Sequence, residues 1–283
     1  MKKRYLPYLL VLPMFITVFI LTIYPSIYSI LISFQKFQEG VKNPTFTGLT
    51  NYINLLISST FWNSLFVTVK YTLGAVFFEF ILGFIIALLL NKIVHFRTLF
   101  RTLLILPLAV MPTISALTWR MIYNPTYGVL NGLLNYFGFS GSTWHTGANS
   151  ALLSVIMVDV WQWTPFLMLI LFAGLQMLPK EVYEAAAIDG ANSWVGFWKI
   201  TFPLIMPVAS IGLSFRVLDA FRSFDIIFVL TKGGPGRATE SLVIKTFIEA
   251  FYNYDLGEAA ALSVFMLVVA TIAARILLKR LKD

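Results

Sequence analysis

The sequence contains no cysteine and only two histidines among its 283 residues. The lack of cysteine excludes disulfide bonds, thiolate metal sites and cysteine nucleophiles. His95 and His145 are too few and too far apart in the sequence to indicate a metal centre. We therefore expect no metal site in this chain.

Charged residues are also scarce, at 12% of the chain, against about 25% in a typical soluble domain. Apolar residues make up 58%, so the chain cannot cover itself with polar surface in water. Several apolar stretches exceed the roughly eighteen residues that indicate a membrane-spanning helix. The composition therefore predicts an all-α integral membrane protein that lies in a lipid bilayer.

Six apolar segments are long enough to cross a bilayer. Their predicted bounds are about 7–34, 65–90, 102–122, 151–178, 204–230 and 256–278. The first is too long for the apolar core of a secretory signal and lacks a small-residue cleavage site, so we expect it to be retained. Residues 123–150 contain no Lys, Arg, Asp or Glu and are predicted to form a loop. We see no soluble domain at either end, and we expect one membrane domain covering residues 1–283.

Basic residues divide unevenly between the two sides that six spans define, which orients the chain. On the side of both termini lie eleven: Lys2, Lys3, Arg4, Lys92, Arg97, Arg101, Lys180, Lys199, Lys279, Arg280 and Lys282. On the opposite side lie only five: Lys36, Lys42, Lys232, Arg237 and Lys245. Because basic loops stay in the cytoplasm, both termini are predicted to be cytoplasmic. The same rule explains the net charge of +8 better than nucleic-acid binding does.

The cytoplasmic segment 179–203, between the fourth and fifth spans, is charged and rich in alanine. Ala and Glu favour a short helix after Pro179, and Gly190 follows where the end of a helix needs positive φ. Asn192 or Ser193 can then cap a second short helix. From physical chemistry alone, such a segment is as readily a solvated connector or an interfacial helix as a docking element.

The spacing within this segment is more specific: Glu184, Ala185 and Ala186, then Gly190, Ile200 and Pro203. It resembles the EAA loop of ABC-importer permeases, although that family usually has Leu at the position of Phe202. In that family the loop is a coupling helix that docks into a cleft of a cytoplasmic ATPase. The resemblance implies the ATPase-coupling residues Glu184, Ala185, Ala186, Asp189, Gly190, Ile200 and Pro203. Asp189 is equally compatible with capping the backbone of the turn.

Further landmarks extend the resemblance over nearly the whole chain. They are Leu21–Pro25, Gly48–Tyr52, Phe61–Ser64, Leu82–Asn91, Trp119–Arg120, Asn124–Pro125, Tyr127–Gly128 and Leu230–Gly236. Together they look like the carbohydrate-uptake branch, which includes the maltose, lactose and glycerol-3-phosphate permeases of bacterial and archaeal cell membranes. The resemblance implies half of a translocation pore that works by alternating access.

The chain has no G-x-x-x-x-G-K-[ST] segment, and the glycine-rich residues 233–236 lie on the outer side. We therefore expect no enzyme activity and no cofactor in this chain, with ATP and magnesium held by a separate ATPase subunit. One coupling loop per chain also fits a half-pore, because the family's ATPases work in pairs. The resemblance implies a second permease subunit, most often a different one, and an extracytoplasmic solute-binding protein.

Polar residues inside predicted spans are costly and are therefore functional candidates. The solute-path candidates are Asp159, Gln162 and Trp163 in the fourth span and Arg216, Asp219 and Ser223 in the fifth. Each set shares a helix face, and together they offer the carboxylates, amide and aromatic ring that bind a sugar. A structural pair between Arg216 and Asp219 remains an alternative, and Glu79 is predicted to form buried interhelical hydrogen bonds.

Two other function classes fit the sequence less well. An ion-coupled secondary transporter could use Glu79, Asp159, Arg216 and Asp219, but it predicts a repeat relating two halves, and the halves share no motif. An intramembrane enzyme lacks a histidine cluster or a nucleophile–base pair. The ion-coupled transporter is therefore the main alternative to an ATP-driven importer. The sequence does not distinguish a neutral sugar from a glycerol phosphate ester, because Arg216 allows an anion without requiring one.

Overall fold

A computed structural model describes residues 6–37, 44–92 and 96–279 of the chain. Several basic residues used above for orientation lie outside these ranges, namely those at positions 2–4, 42, 280 and 282, and so does His95. The chain divides into two compact units. The first consists of Met1–Trp62 and Lys245–Val269, and the second of Asn63–Ile244 and Ala270–Asp283.

Helices account for most of the described residues. In chain order they are α1 Leu6–Val18, α2 Tyr24–Ser33, α3 Thr50–Ile57, α4 Ser59–Lys92, α5 Arg97–Ala109, α6 Pro112–Ile122, α7 Val129–Tyr136, α8 Ala151–Gln176, α9 Lys180–Ile188, α10 Ser193–Gly196, α11 Phe202–Phe221, α12 Asp225–Thr231, α13 Leu242–Phe251 and α14 Leu256–Lys279. π-Helical turns at Phe19–Ile23 and Phe197–Thr201 join α1 to α2 and α10 to α11. The strands β1 Gln35–Lys36 and β2 Thr45–Phe46 form a two-stranded antiparallel sheet.

The described helices confirm the predicted class of a six-span membrane protein. Five are long and apolar enough to cross a membrane: Leu10–Ser33, Ser59–Lys92, Ala151–Gln176, Ser193–Phe221 and Leu256–Leu277. The sixth candidate span is the bent pair α5 and α6, whose axes differ in direction by 93°. Met111 between them has an extended backbone, because the residue before a proline disfavours the helical conformation and Pro112 follows.

Three boundaries differ from the prediction. α4 begins at Ser59 rather than near position 65, since Ser58 accepts a hydrogen bond from the Phe61 backbone N–H (3.5 Å) and caps it. Residues 123–150, predicted as a loop, contain α7 and a 3₁₀ turn, so that prediction was wrong in part. The fifth span ends at Phe221, and residues 225–231 form the separate helix α12.

In the first unit, side-chain hydrogen bonds hold the chain where it leaves the first span. The Asn51 side chain donates to the carbonyl oxygens of Ser33 and Gln35, both at 2.9 Å. Lys245 is buried and pairs with Glu249 (2.8 Å) and Glu258 (3.2 Å). These bonds link α2 to α3 and α13 to α14 within the unit.

The second unit is built around α4, α8 and α11. Ten buried apolar residues form its core: Phe84, Ala87, Leu90, Leu167, Met168, Leu171, Phe172, Leu175, Ile205 and Ala209. Glycines allow these helices to approach closely, since a Cβ on Gly83 would lie 3.0 Å from the Met168 backbone nitrogen. Small residues are typical where helices pack inside a membrane, because they let the two backbones come together.

The residues that follow the Gly-Pro-rich landmark contact α4 near its beginning, in the second unit. Asn63 donates to the carbonyl oxygen of Arg237 (3.2 Å), and Ser64 donates to the Glu240 carboxylate (3.1 Å). Thr239 donates to the Gly234 carbonyl (2.8 Å), which closes the loop on itself.

Candidate functional site

The segment 179–203 forms two short helices joined by a tight turn. At the end of α9 the backbone N–H of Ala191 donates to Ala186 O (2.9 Å), and that of Gly190 donates to Ala187 O (3.1 Å). This pair of bonds is a Schellman motif, which requires a left-handed residue, and Gly190 has φ +78°. The predicted positive φ at Gly190 is confirmed.

The second helix of the segment is capped and continues into the fifth span. The Asn192 side chain accepts a hydrogen bond from the Val195 backbone N–H (2.9 Å), which makes Asn192 the N-cap. From Ser193 the chain stays helical through the π-helical turn to Phe221. The hydroxyls of Tyr183 and Thr201 lie 3.0 Å apart and tie α9 to this helix. The segment is therefore continuous with a membrane-spanning helix.

The surface of the segment combines exposed apolar side chains with a carboxylate. Ile188 is 87% exposed and Trp194 is 70% exposed, so two large apolar side chains are open on this segment. Glu184 is exposed and borders a cavity of about 500 Å³ together with Lys92 and Gln176. Among the described side chains, none forms an ion pair with Glu184.

The remaining coupling candidates lie on the surface of the segment 179–203 or where it joins α11. Ala186 and Ile200 line a cleft of about 370 Å³ between the two short helices, and Pro203 stands in the first turn of α11. Ala185 is exposed. Asp189 contributes its backbone N–H to the turn, which donates to Ala185 O (3.0 Å), and within the described residues its carboxylate makes no hydrogen bond.

Inside the membrane-spanning part of the second unit, Arg216 is the centre of a buried polar cluster. Its Nε and Nη2 donate to the two carboxylate oxygens of Glu79, at 2.7 and 2.8 Å. Its Nη2 also donates to Asp159, and its Nη1 to Asp219 at 3.2 Å. Arg216, Glu79 and Asp159 are almost completely buried. The cluster therefore joins α4, α8 and α11 by charge-assisted hydrogen bonds.

The cluster lies nearer to the end of the spans that is opposite to the segment 179–203. Asp159 is eight residues from the beginning of α8, or ~12 Å along the axis, and seventeen residues from its end, or ~26 Å. Arg216 is correspondingly close to the end of α11. If segment 179–203 is cytoplasmic, the cluster is in the outer half of the bilayer.

A cavity of about 260 Å³ adjoins this cluster. Three predicted solute-path residues line it: Trp163, Asp219 and Ser223. Arg222 and Asp225 line it as well, although neither is among the predicted solute-path residues. Arg222 follows Asp219 by three residues at the end of α11, and Asp225 begins α12.

The other solute-path candidates are engaged in the protein itself. Gln162 is buried and donates from Nε2 to the carbonyl oxygen of Val110 (2.8 Å), at the break between α5 and α6. Asp159 and Arg216 are held in the buried cluster. Trp163 contacts the buried cluster as well as lining the cavity, since the Arg216 guanidinium lies over its ring at 5.1 Å from the centroid.

A comparison with known protein families identifies the chain. Residues 79–283 match the family described as "Binding-protein-dependent transport system inner membrane component". The chain belongs to this family. The match includes the segment 179–203, the buried cluster and the cavity. It confirms the expected multi-pass membrane permease and favours an importer over an ion-coupled secondary transporter.

Relatives of this permease cover nearly its whole length. It is 41% identical over 272 residues to the trehalose/maltose transport system permease protein MalF of Thermococcus litoralis, covering 95% of this chain and 92% of that protein. It is 34% identical to the trehalose transport system permease protein SugA of Mycobacterium tuberculosis, covering 99% and 89%. It is also 34% identical to the sn-glycerol-3-phosphate transport system permease protein UgpA of Agrobacterium fabrum, covering 94% and 91%.

Solved structures show the same fold. A chain of a bacterial ABC transporter involved in the import of the acidic polysaccharide alginate superimposes with a TM-score of 0.87, covering 99% of the permease and 96% of that chain. A second structure, of the alginate transporter in complex with an alginate pentasaccharide-bound periplasmic protein, gives a TM-score of 0.84, covering 98% and 93%. Both chains are 22% identical to the permease, so they establish its architecture alone.

Two features of the permease were missed by sequence reasoning. Tyr71 is buried in α4 and donates from its hydroxyl to Ser223 (3.0 Å). It precedes Glu79 by eight residues, so the two share a helix face, and a search for polar groups on that face would have found it. Arg222 follows Asp219 by three residues, so helical spacing indicated that it shares a face with a solute-path candidate, whereas the position of Asp225 depends on where α11 ends.

Proposed function

We propose that this permease forms half of the pore of a sugar importer, with residues 1–283 working as one membrane domain. The names of its relatives support this, because trehalose or maltose permeases are 34–41% identical to it over nearly the full chain. The solute crosses by alternating access, in which the pore opens to one side of the membrane at a time. Because other relatives are named as glycerol-3-phosphate permeases, the names alone do not fix the charge of the solute. The charge has to be inferred from the residues of the site.

The driving subunit is a separate ATPase that binds ATP and magnesium and docks on segment 179–203. The observation that carries this proposal is that segment 179–203 forms two exposed short helices, here called the elbow, and that the second helix continues into the fifth span. Ile188 and Trp194 offer an apolar docking face, and Glu184, which pairs with no described side chain, offers a carboxylate for a basic residue of the ATPase. Gly190 holds the angle of the elbow, while Ile200 and Pro203 lie where it joins α11.

Two further partners complete the assembly. A second permease subunit, most often a different chain in this branch, supplies the other half of the pore and a second coupling segment. An extracytoplasmic solute-binding protein delivers the solute to the opposite side of the membrane. The family description, which names binding-protein-dependent transport, supports that partner.

The solute passes the cavity beside the buried cluster. Trp163, Asp219 and Ser223 line this cavity and contact the solute. Asp159 and Arg216 hold the wall behind them, and Gln162 holds the break between α5 and α6. These roles divide the six solute-path candidates into residues that touch the solute and residues that position them.

Reversing the charge of Glu184 tests the coupling role. In the purified complex, Glu184→Lys abolishes sugar uptake and the stimulation of ATPase activity by loaded binding protein, because two basic groups then face each other. Glu181→Lys is the matched control, since it places the same change on an exposed residue of the same helix. Both variants are to be checked for insertion and complex assembly.

Coupled uptake by Glu184→Lys at the wild-type rate would refute the assigned contact. Equal loss in both variants would show a general charge effect rather than a specific one. Uptake by the complex on an ion gradient alone, without ATP, would support the secondary transporter instead.

A further inference from the structure

The charge of the solute can be inferred from the partners of Arg216. Among the described residues, this guanidinium is the one cation within the buried part of the cluster, and its side chain is only 1% exposed. Glu79 accepts two of its hydrogen bonds, and Asp159 and Asp219 accept the others. An anionic solute that used Arg216 would have to displace one of these carboxylates from a buried guanidinium, which is costly. Arg216 is therefore not an anion-binding group.

The groups that remain at the cavity have a net negative character. Asp219 is 40% exposed and Asp225 is exposed, and both line the cavity. Their counter-charge is Arg222, whose side chain is 74% exposed and reaches Asp219 only at 3.7 Å. On the side of α6, Asp225 accepts a hydrogen bond from the neutral hydroxyl of Thr113 (3.4 Å). No cation from α6 or α8 lines the cavity within the described residues.

At the cavity itself, the carboxylates outnumber the guanidinium groups by two to one among the described residues. The carboxylates are those of Asp219 and Asp225, and the guanidinium group is that of Arg222. A phosphate dianion about 7 Å from even one uncompensated carboxylate is disfavoured on the order of tenfold at the dielectric constant of water, and more in a partly buried site.

The side chains that line the cavity can bind hydroxyl groups. Asp219 and Asp225 can accept hydrogen bonds from several hydroxyls, and Ser223 can both donate and accept. Trp163 supplies an aromatic surface of the kind on which the apolar face of a sugar ring packs. None of these interactions requires a charge on the solute.

We propose that this cavity accepts uncharged polyhydroxy solutes and discriminates against phosphorylated ones, with Asp219 and Asp225 as the determinants. The proposal rests on the function proposed above and specifies its substrate class. It separates this permease from a glycerol phosphate carrier, although relatives of both kinds are similar to it in sequence.

Trehalose and trehalose 6-phosphate are the matched probes, because they differ only by the phosphate. Their affinities for the purified complex, prepared without the solute-binding protein, are to be measured by saturation-transfer NMR at low and high ionic strength. We expect trehalose to bind at least tenfold more tightly than its phosphate ester at low ionic strength. We expect the Asp219→Asn/Asp225→Asn variant to reduce the ratio of trehalose affinity to trehalose 6-phosphate affinity at least threefold. The Glu181→Gln variant should keep the wild-type affinity ratio. High salt also narrows the wild-type ratio, because it screens the repulsion.

Equal or tighter binding of the phosphate ester overturns the inference, as does a ratio that the double variant leaves unchanged. Binding of neither probe removes the cavity from the solute path and overturns it too. ATP-driven sugar uptake by the complete complex in proteoliposomes tests the proposed function separately. Uptake of trehalose or maltose together with an unchanged ratio would reject the charge selectivity alone, whereas failure to take up any sugar would reject the importer function.

Discussion

Replacing Arg216 with methionine is the sharpest test of the buried cluster. The change removes four hydrogen bonds and leaves the Glu79 and Asp159 carboxylates buried without a cation. Breaking a buried ion pair in this way typically costs about 3–5 kcal/mol, because an uncompensated charge remains in a medium of low polarity. For a chain of this size, we expect the thermal midpoint to fall by roughly 10 °C.

The measurement is the thermal midpoint of the detergent-solubilised complex, followed by fluorescence-detected size-exclusion chromatography. Arg222→Met is the matched control, because it removes the same group from an exposed position with one contact at 3.7 Å. We expect the control to cost no more than ~1 kcal/mol, as exposed ion pairs do.

A compensated variant separates the loss of charge balance from the loss of packing. Adding Glu79→Gln and Asp159→Asn to Arg216→Met removes the buried charges together, so most of the lost stability returns. If Arg216→Met were no less stable than Arg222→Met, the cluster would not hold α4, α8 and α11 together. If the triple variant were less stable than Arg216→Met, the account based on uncompensated charge would be wrong.

Three further predictions follow from single contacts. Gln162→Leu leaves the Val110 carbonyl without its hydrogen-bond donor and lowers the free energy of unfolding by about 1–3 kcal/mol. The measurement is the thermal midpoint, with Thr164→Val as the control. An unchanged midpoint in Gln162→Leu would argue against the bond. Gly190→Val strains the left-handed turn by about 1–2 kcal/mol, and we expect it to uncouple ATPase activity from sugar uptake. Gly196→Ala is the control, because Gly196 has ordinary helical backbone angles, and it should retain coupling. Full coupling in Gly190→Val would contradict the role of the turn. Burial lowers the pKa of Lys245, but its two carboxylate partners outweigh this and raise the pKa above 10.5, so its stabilising contribution is complete below pH 10.5 and is lost as the pH rises through the folded value. The thermal midpoint of the wild type should therefore fall more steeply than that of Lys245→Met at this alkaline end, and parallel curves would exclude the linkage.

Local patterns were sufficient for much of the architecture. Runs of apolar residues indicated all six spans, because hydropathy depends on neighbouring residues alone. The turn at Gly190 was also predicted, and so was a cap at Asn192 or Ser193, since helix ends are specified within a few positions. The pairing of Arg216 with Asp219 was left as an alternative and is present, because residues three apart meet on one helix face.

Contacts between distant parts of the chain were not accessible in the same way. Glu79 was predicted to be buried and hydrogen-bonded, but its partner Arg216 lies 137 residues away, and no periodicity relates the two positions. Similarly, Gln162 was predicted for the solute path, and its bond to Val110 depends on a break that Pro112 allows but does not place in space.

The amino-acid sequence by itself determined that this protein spans a membrane six times and which family it resembles, together with the segment that should meet an ATPase. These properties follow from composition, from the lengths of apolar runs and from motif spacing, all of which are local. Only the tertiary structure decided that Arg216 is neutralised by three carboxylates and that Asp219, Arg222 and Asp225 border one cavity. The reason is that the charge presented to a solute is a sum over helices, and it becomes known only when they are packed.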